Sequence, residues 1–537
     1  MRFDGADGAT ARGRVVMLVD NAVNGDSRVQ KAARSAAEAG WEVILLGRSP
    51  VTEPREWLLG QARVRLLPMP DPLARRRHEF RRAWLRWPLA YPPSGIAAHR
   101  AQSVRAWRAD LAVRAAQLAV AAPRTPHLEL RRRWLRAEEL AAGLTGKWVS
   151  FRYWQLTRAR KGRKFRNPWD LAYTRFWQLV KGDGAWRRLE PGLWDYELAF
   201  GPVLDELRPD LIHANDFRML GVGARAKIRA AAQGRKVKLV WDAHEFLPGV
   251  QPWKDNARWL PAHRAHEREY APYADAVMTV SAGLAELLRR EHGLSEDPAV
   301  VLNAPDLGPP PAGAEDDAPG LRERCGIGPE MPLLVYSGVA APKRGLGIMV
   351  EALPELPGAH VALVVNKPDS PYVVGLRARA AELGVADRLH VLPYVPHWQV
   401  VRFLSAADVG VIPIQHWPNH EIALITKFFE YSHARLPLVV SDVRTMADTV
   451  RSTGQGEVFR AEDVADHVRA VRAVLADPAR YRAAYDQPGL LESWTWSAQA
   501  AVMDEVYTRL LPERPAAVRI GDPRATSEVQ PSVGANT

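Results

Sequence analysis

Cysteine is almost absent from this 537-residue chain, Cys325 being the single one. One thiol cannot close an intramolecular disulfide, and a cysteine-ligated zinc or iron–sulfur centre needs several, so neither is expected and the compartment reads as reducing. Long apolar runs are missing as well. No window offers about 18 uncharged apolar residues, and the opening MRFDGADGATARGR has no apolar core, so neither a membrane span nor a signal peptide is expected. A cytoplasmic protein follows. Self-similarity at a solenoid period is also lacking.

What is present is an ordinary globular balance, 47% hydrophobic and 25% charged, long enough for two to four domains. The net charge of +12 is unevenly placed. Residues 71–190 hold 23 Arg and 4 Lys against 9 acidic residues, a local balance of +18 that leaves −6 for the rest. Nine of the 19 tryptophans lie in the same block, from Trp84 to Trp186. The basic character therefore belongs to one segment with its own role.

Around that block the pattern alternates. RVVMLVD, the polar turn NAVNGDS, RVQKAARSAAEAG at helical spacing and WEVILLG read as strand, loop, helix and strand, the opening of a parallel α/β sheet. PDLIHAND, GVGARAKIRAAAQG and KVKLVWDAHEF continue it, and ADAVMTVS and AVVLNAP supply its last strands. Residues 304–319 have the Pro/Gly-rich composition of a linker. A second unit follows: strands MPLLVYSG, HVALVVN, RLHVLPYV, DVGVIPI and LPLVVS, separated by helices KRGLGIMVEAL, SPYVVGLRARAAELG, HWQVVRFLSAA and EIALITKFFEYSHA. The expected organisation is a flexible 1–13, a Rossmann-like domain over 14–303 interrupted at about 71–190 by a helical insertion, the linker, and a second Rossmann-like domain over 320–490. A C-terminal helix over 491–511 and a disordered 512–537 complete it. Two such domains place a cleft between the carboxyl ends of their sheets.

DNAVNGDSRVQKAARSAAEAGWEVILL, LVWDAHEFLP, YSGVAAPKRGLGIMVEAL and ALITKFFEYSHARLPLVVSD, in this order, resemble the retaining GT-B glycosyltransferases of family four. The resemblance covers about residues 14–60 and 200–505 and leaves out the basic block. It implies a nucleotide-sugar donor held by the C-terminal half, with an acceptor entering from the N-terminal half. Gly338 and Gly345 flank a loop opening a helix, where free N–H groups favour an anion. Lys343 and Arg344 add charge there, and Arg344 matches the family's diphosphate-binding residue; Val339 stands where relatives often carry a further arginine. Lys427 and Glu430, three apart on an expected helix, suit a diphosphate and a ribose, with backbone near Tyr394 and Val395 against the base. The eight-residue spacing of two glutamates common in the family is not kept, since Ile422 stands eight before Glu430 and Glu421 one place off.

In the first half, His244 matches the family histidine beside the donor sugar, as a neutral imidazole accepting from a hydroxyl or through its backbone carbonyl. His213, Asp216, Asp242 and Glu245 are expected to line the cleft, Asp216 alternatively capping a helix. In the loop 21–28, Asp26 or Ser27 is the expected N-cap, and Arg28 a phosphate or acceptor contact. His244, Arg344 and Lys427 are the expected catalytic set. The bland readings are a solvated Lys343–Arg344 loop pair and a surface i,i+3 pair at Lys427 and Glu430. Metal-dependent nucleotide-sugar enzymes commonly use a DxD carboxylate pair, whereas the acidic cluster Glu315, Asp316, Asp317 lies in the linker, so no metal and no cofactor are expected.

The function expected is sugar transfer to a glycan or lipid-linked acceptor with retention. A nucleotide-sugar epimerase on the same fold, or a non-catalytic binding protein, are the alternatives. The Arg/Trp block suits an anionic membrane surface, which would make the protein peripheral at the inner face of the membrane. A soluble helical subdomain is the other reading of that block, and no recognisable nucleic-acid module is found in it.

Overall fold

The computed structural model describes residues 12–51, 53–69, 96–120, 126–160, 168–250, 256–308 and 319–512. The expected flexible start, the window HEFRRAWLRW, the acidic cluster at 315–317 and all of the expected tail beyond Glu513 lie outside these. The chain forms two compact units: Met1–Pro68 with Ala199–Val250 and His266–Thr537, and Met69–Leu198 with Gln251–Ala265.

The first unit carries two sheets. Strands β1 (Arg14–Leu18), β2 (Glu42–Ser49), β3 (Arg55–Leu59), β4 (Ala62–Pro68), β5 (Leu211–Asn215), β6 (Lys238–Ala243), β7 (Ala276–Thr279) and β8 (Ala299–Val300) make one sheet in the order 3-4-2-1-5-6-7-8. It is parallel except for the β3–β4 hairpin, a strand the sequence pattern does not announce. Val16 of β1 pairs with Ile44 on one side and Ile212 on the other. Central strands are buried on both faces, which is why they read as continuous apolar runs.

Strands β9 (Leu333–Ser337), β10 (His360–Val365), β11 (Leu389–Pro393), β12 (Val409–Ile412), β13 (Leu438–Ser441) and β14 (Gly456–Phe459) form the second sheet, all parallel, in the order 11-10-9-12-13-14.

Several helices are shorter than the sequence suggests. EIALITKFFEYSHA is split: one turn, Pro418–Glu421, ends in an extended stretch, and a new helix, Thr426–His433, starts after Ile425 at ψ 152°. The β-branched Ile425 is extended, and the Ser281 hydroxyl donates to the carbonyl of Ile422, the residue that closes the first turn. KRGLGIMVEAL becomes a 3-10 turn, Pro342–Arg344, followed by the short helix Gly347–Glu351. Between them Gly345 has φ 69°, and a Cβ there would stand 1.9 Å from the Pro413 carbonyl oxygen, so only glycine fits. HWQVVRFLSAA likewise reduces to a 3-10 turn and Val400–Leu404, and AVVLNAP keeps only two strand residues.

The helix Trp496–Leu510 returns to the first sheet, burying Trp496, Met503, Val506 and Tyr507 in its core. Each such side chain contributes roughly 1.5–3 kcal/mol of burial. Asp504 fixes the docking by accepting from Arg12 and from the Trp41 indole, both at 2.7 Å.

A strap, Val301–Asp306, leads from the first sheet toward the second and is held by one face of the helix Ser27–Glu38. Arg28 Nη1 donates to the Val301 carbonyl at 2.7 Å, Lys31 to the Ala304 carbonyl and to Asn303 Oδ1, and Arg34 pairs with Asp306 at 3.1 Å. The spacing i, i+3, i+6 puts all three cations on one side. Trp496 N donates to the Pro305 carbonyl, and the Asn303 amide reaches Thr426 Oγ1 at 2.9 Å.

The second unit is helical: Ile96–Val120, Pro126–Arg160, Pro168–Lys181 and the short Trp186–Leu189. The first two pack against each other through a small core of Leu111, Leu135 and Ala142. SVRAWRADLAVRAAQLAV, within the basic block, is helical as its spacing implies.

Candidate active site

The carboxyl ends of β1, β6 and β9 and the start of the helix Thr426–His433 enclose an open cavity of about 810 Å³. Asp26, Arg28 and His244 border it from the first sheet. Gly338, Arg344, Tyr394, Val395, Lys427 and Glu430 border it from the second. Asp26 is the N-cap of the first helix, accepting from Val29 N, and is held by the Asn21 amide at 2.7 Å.

On the second-sheet side the cations differ in their freedom. The Arg344 side chain has no hydrogen-bond or ion-pair partner among the described residues and faces the cavity. Lys427 is buried with Nζ 3.8 Å from the Tyr336 ring centroid, not in a surface pair with Glu430. Gly338, at φ 143°, makes room for it: a Cβ there would stand 2.6 Å from Nζ. Burial, with the Arg344 charge next in weight, pulls the Lys427 pKa well below its ordinary value, while Glu430 opposes the shift. Burial raises the Glu430 pKa, and Lys427 and Lys31 act against this.

Lys343 does not join this wall. Its Nζ lies 3.4 Å from the centroid of the Trp417 ring, and its carbonyl accepts from Gln415 N, so the loop turns it away from the cavity. Val339, in the place of the family's additional arginine, borders the cavity with an apolar side chain. Glu421 serves the loop instead of the cavity, taking hydrogen bonds from His416 and from Arg444 N.

On the first-sheet side the expected cleft residues form a buried charge cluster. Arg28 is not available to a ligand: Nε and Nη2 clasp Asp242 at 3.0 and 2.8 Å, and its remaining nitrogen holds the strap. Asp242 is itself buried and stands 3.2 Å from His244 Nε2. His213 is fully buried rather than cleft-lining, with Nδ1 bonded to the Tyr507 hydroxyl at 2.5 Å and Nε2 3.5 Å from Asp242. Glu245 is exposed and does not border the cavity.

Asp216 neither follows a loop nor caps. It is the first residue of the helix Asp216–Ala232, in left-handed backbone at φ 61°, a conformation costing on the order of 1–3 kcal/mol. That turn sets its carboxylate 3.5 Å from His244 Nδ1.

His244 therefore has a carboxylate at each ring nitrogen. Burial alone would lower its pKa, but Asp216 and Asp242 raise it to about 10. Asp242 is held well below its ordinary value, the Arg28 and His244 charges overcoming the cost of burial. The two carboxylates favour the charged form of the imidazole beside the cavity, where the sequence suggests a neutral acceptor.

Missed by sequence reasoning were Tyr507, Asn303 and Thr426, whose roles depend on contacts from remote chain segments. Among the described residues no group of three or more His, Cys, Asp or Glu is placed to hold a metal ion, and no helix is long and apolar enough to cross a membrane.

Two parallel-sheet α/β domains presenting their strand ends to one cavity, with cations on its second-sheet wall, define the GT-B class. The chain belongs to the group 1 glycosyltransferases. The sequence profile described as Glycosyl transferases group 1 matches residues 319–488, and that described as Glycosyltransferase Family 4 matches residues 137–307. The second match begins inside the basic block, which the motifs alone leave out of the resemblance.

The chain is 29% identical to a D-inositol 3-phosphate glycosyltransferase of Xylanimonas cellulosilytica over 263 residues, 47% of this chain and 60% of that protein. To a glycogen synthase of Mycobacterium tuberculosis it is 27% identical, over 56% of this chain and 69% of that one. A GDP-mannose-dependent phosphatidylinositol monomannoside mannosyltransferase of Mycolicibacterium smegmatis is 28% identical over 35% of this chain and 50% of that protein. The chain thus spans about three fifths of the length of the first of these relatives. In fold it matches a sucrose-phosphate synthase from Thermosynechococcus elongatus, with TM-score 0.57 at 16% identity, covering 93% of this chain and 100% of that one. An Anabaena protein solved with UDP and glucose gives TM-score 0.54 at 12% identity, covering 93% and 100%.

Proposed function

We propose that the protein transfers a sugar from a nucleotide-sugar to an acceptor with retention at the anomeric carbon. The observation that carries this is the second-sheet wall, where unpartnered Arg344, desolvated Lys427 and Glu430 meet in one cavity across from the His244 cation. Charge develops on the leaving diphosphate as the glycosidic bond breaks, and cations fixed beside it lower the barrier. In this reading Arg344 and Lys427 neutralise the diphosphate without a metal ion, and Glu430 accepts from the ribose. Backbone at Tyr394 and Val395 meets the base, and the acceptor approaches from the side of Asp26 and His244. Transfer is to the same face, guided by the leaving phosphate.

The names of the relatives span an inositol phosphate, glycogen and a phosphatidylinositol mannoside, so the acceptor side varies within the group. The basic block favours a lipid-linked or cell-surface glycan acceptor met at the cytoplasmic face of an anionic membrane.

The test is a thermal-shift panel of nucleoside diphosphates and nucleotide-sugars in buffer containing a chelator. At 100 times Kd a ligand stabilises the native state by about 2.7 kcal/mol, so one nucleotide series is expected to raise Tm by several degrees and the others not. No shift with any of them refutes the donor site. Incubating the ligand that shifts Tm with no acceptor separates this activity from epimerisation, which would yield an isomer without free nucleoside diphosphate.

Glu430→Gln probes the ribose contact. Losing a charge-assisted hydrogen bond is expected to weaken nucleoside diphosphate binding by roughly 1.5–3 kcal/mol, read by calorimetry. Unchanged affinity would make Glu430 a structural residue.

A further inference from the structure

The helix Pro126–Arg160 has two apolar faces, and among the described residues only one is used. Leu135, Ala142 and Val149 are buried, Leu135 and Ala142 in the core shared with the helix Ile96–Val120. On the opposite side Leu130, Trp134, Leu144 and Phe151 fall within an arc of about 100°, reckoned at 3.6 residues per turn. Trp134 is 69% and Leu144 70% exposed. An aromatic ladder, Trp148, Phe151 and Trp154 with ring centroids 6.0 and 6.1 Å apart, continues the same surface. From Leu130 to Phe151 the stripe runs for about 32 Å.

Cations border it. Arg133, Arg136 and Lys147 are exposed beside the stripe and form no ion pair among the described residues, whereas the carboxylates of Glu129 and Glu138 are taken by Arg132 and Arg114. The next helix repeats the arrangement. Pro168–Lys181 turns Trp169, Phe176 and Leu179 outward, Leu179 87% exposed, opposite its buried Asp170 and Thr174, with Arg175 exposed alongside.

A monomer in water seldom leaves so much large apolar surface uncovered. We propose that these two helix faces are the surface on which the protein lies in the headgroup layer of an anionic membrane, leucines and indoles entering the acyl boundary and the free cations meeting lipid phosphates. The aromatic ladder could stack bases, but Leu130, Leu144 and Leu179 give a nucleic acid nothing to bond to, and it is these exposed leucines that favour the acyl boundary. A two-fold copy would bring Arg133, Arg136 and Lys147 near their own equivalents, which repel. A leaflet answers both the charge and the apolar stripe. The inference rests on the proposed function only in giving the acceptor a place, and it can fail alone.

The experiment is co-sedimentation of the full-length protein with vesicles of phosphatidylcholine, and with vesicles of roughly 3:1 phosphatidylcholine to phosphatidylglycerol. The wild type is expected to pellet with the anionic vesicles, less with the neutral ones, and less as salt rises. Trp134→Ser with Leu144→Ser, and separately Arg133→Glu, Arg136→Glu and Lys147→Glu together, change only exposed side chains. Each set is expected to lower the bound fraction about tenfold while leaving the nucleotide-induced thermal shift intact. Absent or equal pelleting on both vesicle types, or variants that pellet like wild type, overturns the proposal. Tighter binding to single-stranded RNA than to anionic vesicles, or a wild-type dimer that these variants make monomeric, also overturns it. Loss of the nucleotide shift in wild type strikes the transferase reading alone.

Discussion

Replacing Lys427 with Ala, or Arg344 with Ala, is expected to cut turnover about 100-fold or more in a protein that folds normally. A preorganised charge aimed at a developing anion is typically worth 10²–10³ in rate, about 2.7–4 kcal/mol, because it acts in a water-poor site and needs no reorganisation. Both residues meet that description from different directions. Arg344 borders the cavity and has no hydrogen-bond or ion-pair partner among the described residues, so removing its guanidinium breaks no contact seen there. Lys427 is desolvated and has the Arg344 charge near it, a cost that Glu430 offsets in part. Lys427→Ala is therefore expected to melt at or above the wild-type temperature while losing activity, a pairing that separates a functional cation from a structural one. Steady-state rates and melting curves on the same preparations decide it. Wild-type turnover in either folded variant removes that residue from the mechanism.

Asp242→Ala is expected to destabilise the protein by about 3–5 kcal/mol. The carboxylate answers two buried cations at once, Arg28 through a two-point contact and His244 at 3.2 Å, and its removal leaves both without it. Denaturant titration gives the size of the loss. The pH dependence follows from the two shifts. The His244 pKa is raised to about 10, so its contribution is complete below the ordinary histidine value of about 6.5 and is lost as pH climbs through 10. The Asp242 pKa is lowered, so its contribution is complete above about 3.9 and lost as pH falls through the native value. Wild type is expected to lose stability between about pH 6.5 and 9, and His244→Asn to lose much less over that range. Equal slopes for both would mean that His244 is not charged in the native state.

The architecture was legible wherever burial on both faces writes a continuous apolar run, as in RVVML and HVALVV, and wherever a cap sits beside an amphipathic stretch, as Asp26 does before Ser27–Glu38. The pairing of Lys427 with Glu430 on one helix was legible too, since a three-residue interval is a local property. The fate of the charged residues was not. Arg28 and Asp242 lie 214 positions apart and His213 and Tyr507 lie 294 apart, and no local pattern says which remote partner a side chain will meet. Hence His213 reads as a cleft residue though it belongs to the core, and Arg28, which does border the cavity, reads as a ligand contact though its nitrogens hold Asp242 and Val301. The break inside EIALITKFFEYSHA was hidden for another reason: the unbroken apolar run Ile422–Ile425 carries no stop signal, and the contact made there by the Ser281 hydroxyl comes from a remote segment.

The strap at Val301–Asp306 has an uneven tolerance to mutation. At Val301, Ala304 and Pro305 it is gripped through backbone carbonyls, which every amino acid carries, whereas the grip comes from the particular side chains Arg28 and Lys31 and from a main-chain amide at Trp496. Substituting the gripped residues therefore leaves these bonds available, while substituting Arg28 or Lys31 removes theirs. The course of the segment between the two sheets is encoded some 270 positions upstream of where it runs, on a helix of the opposite end of the chain. Sequence drift in the strap can retune what borders the cavity near Asn303 without changing where the backbone goes.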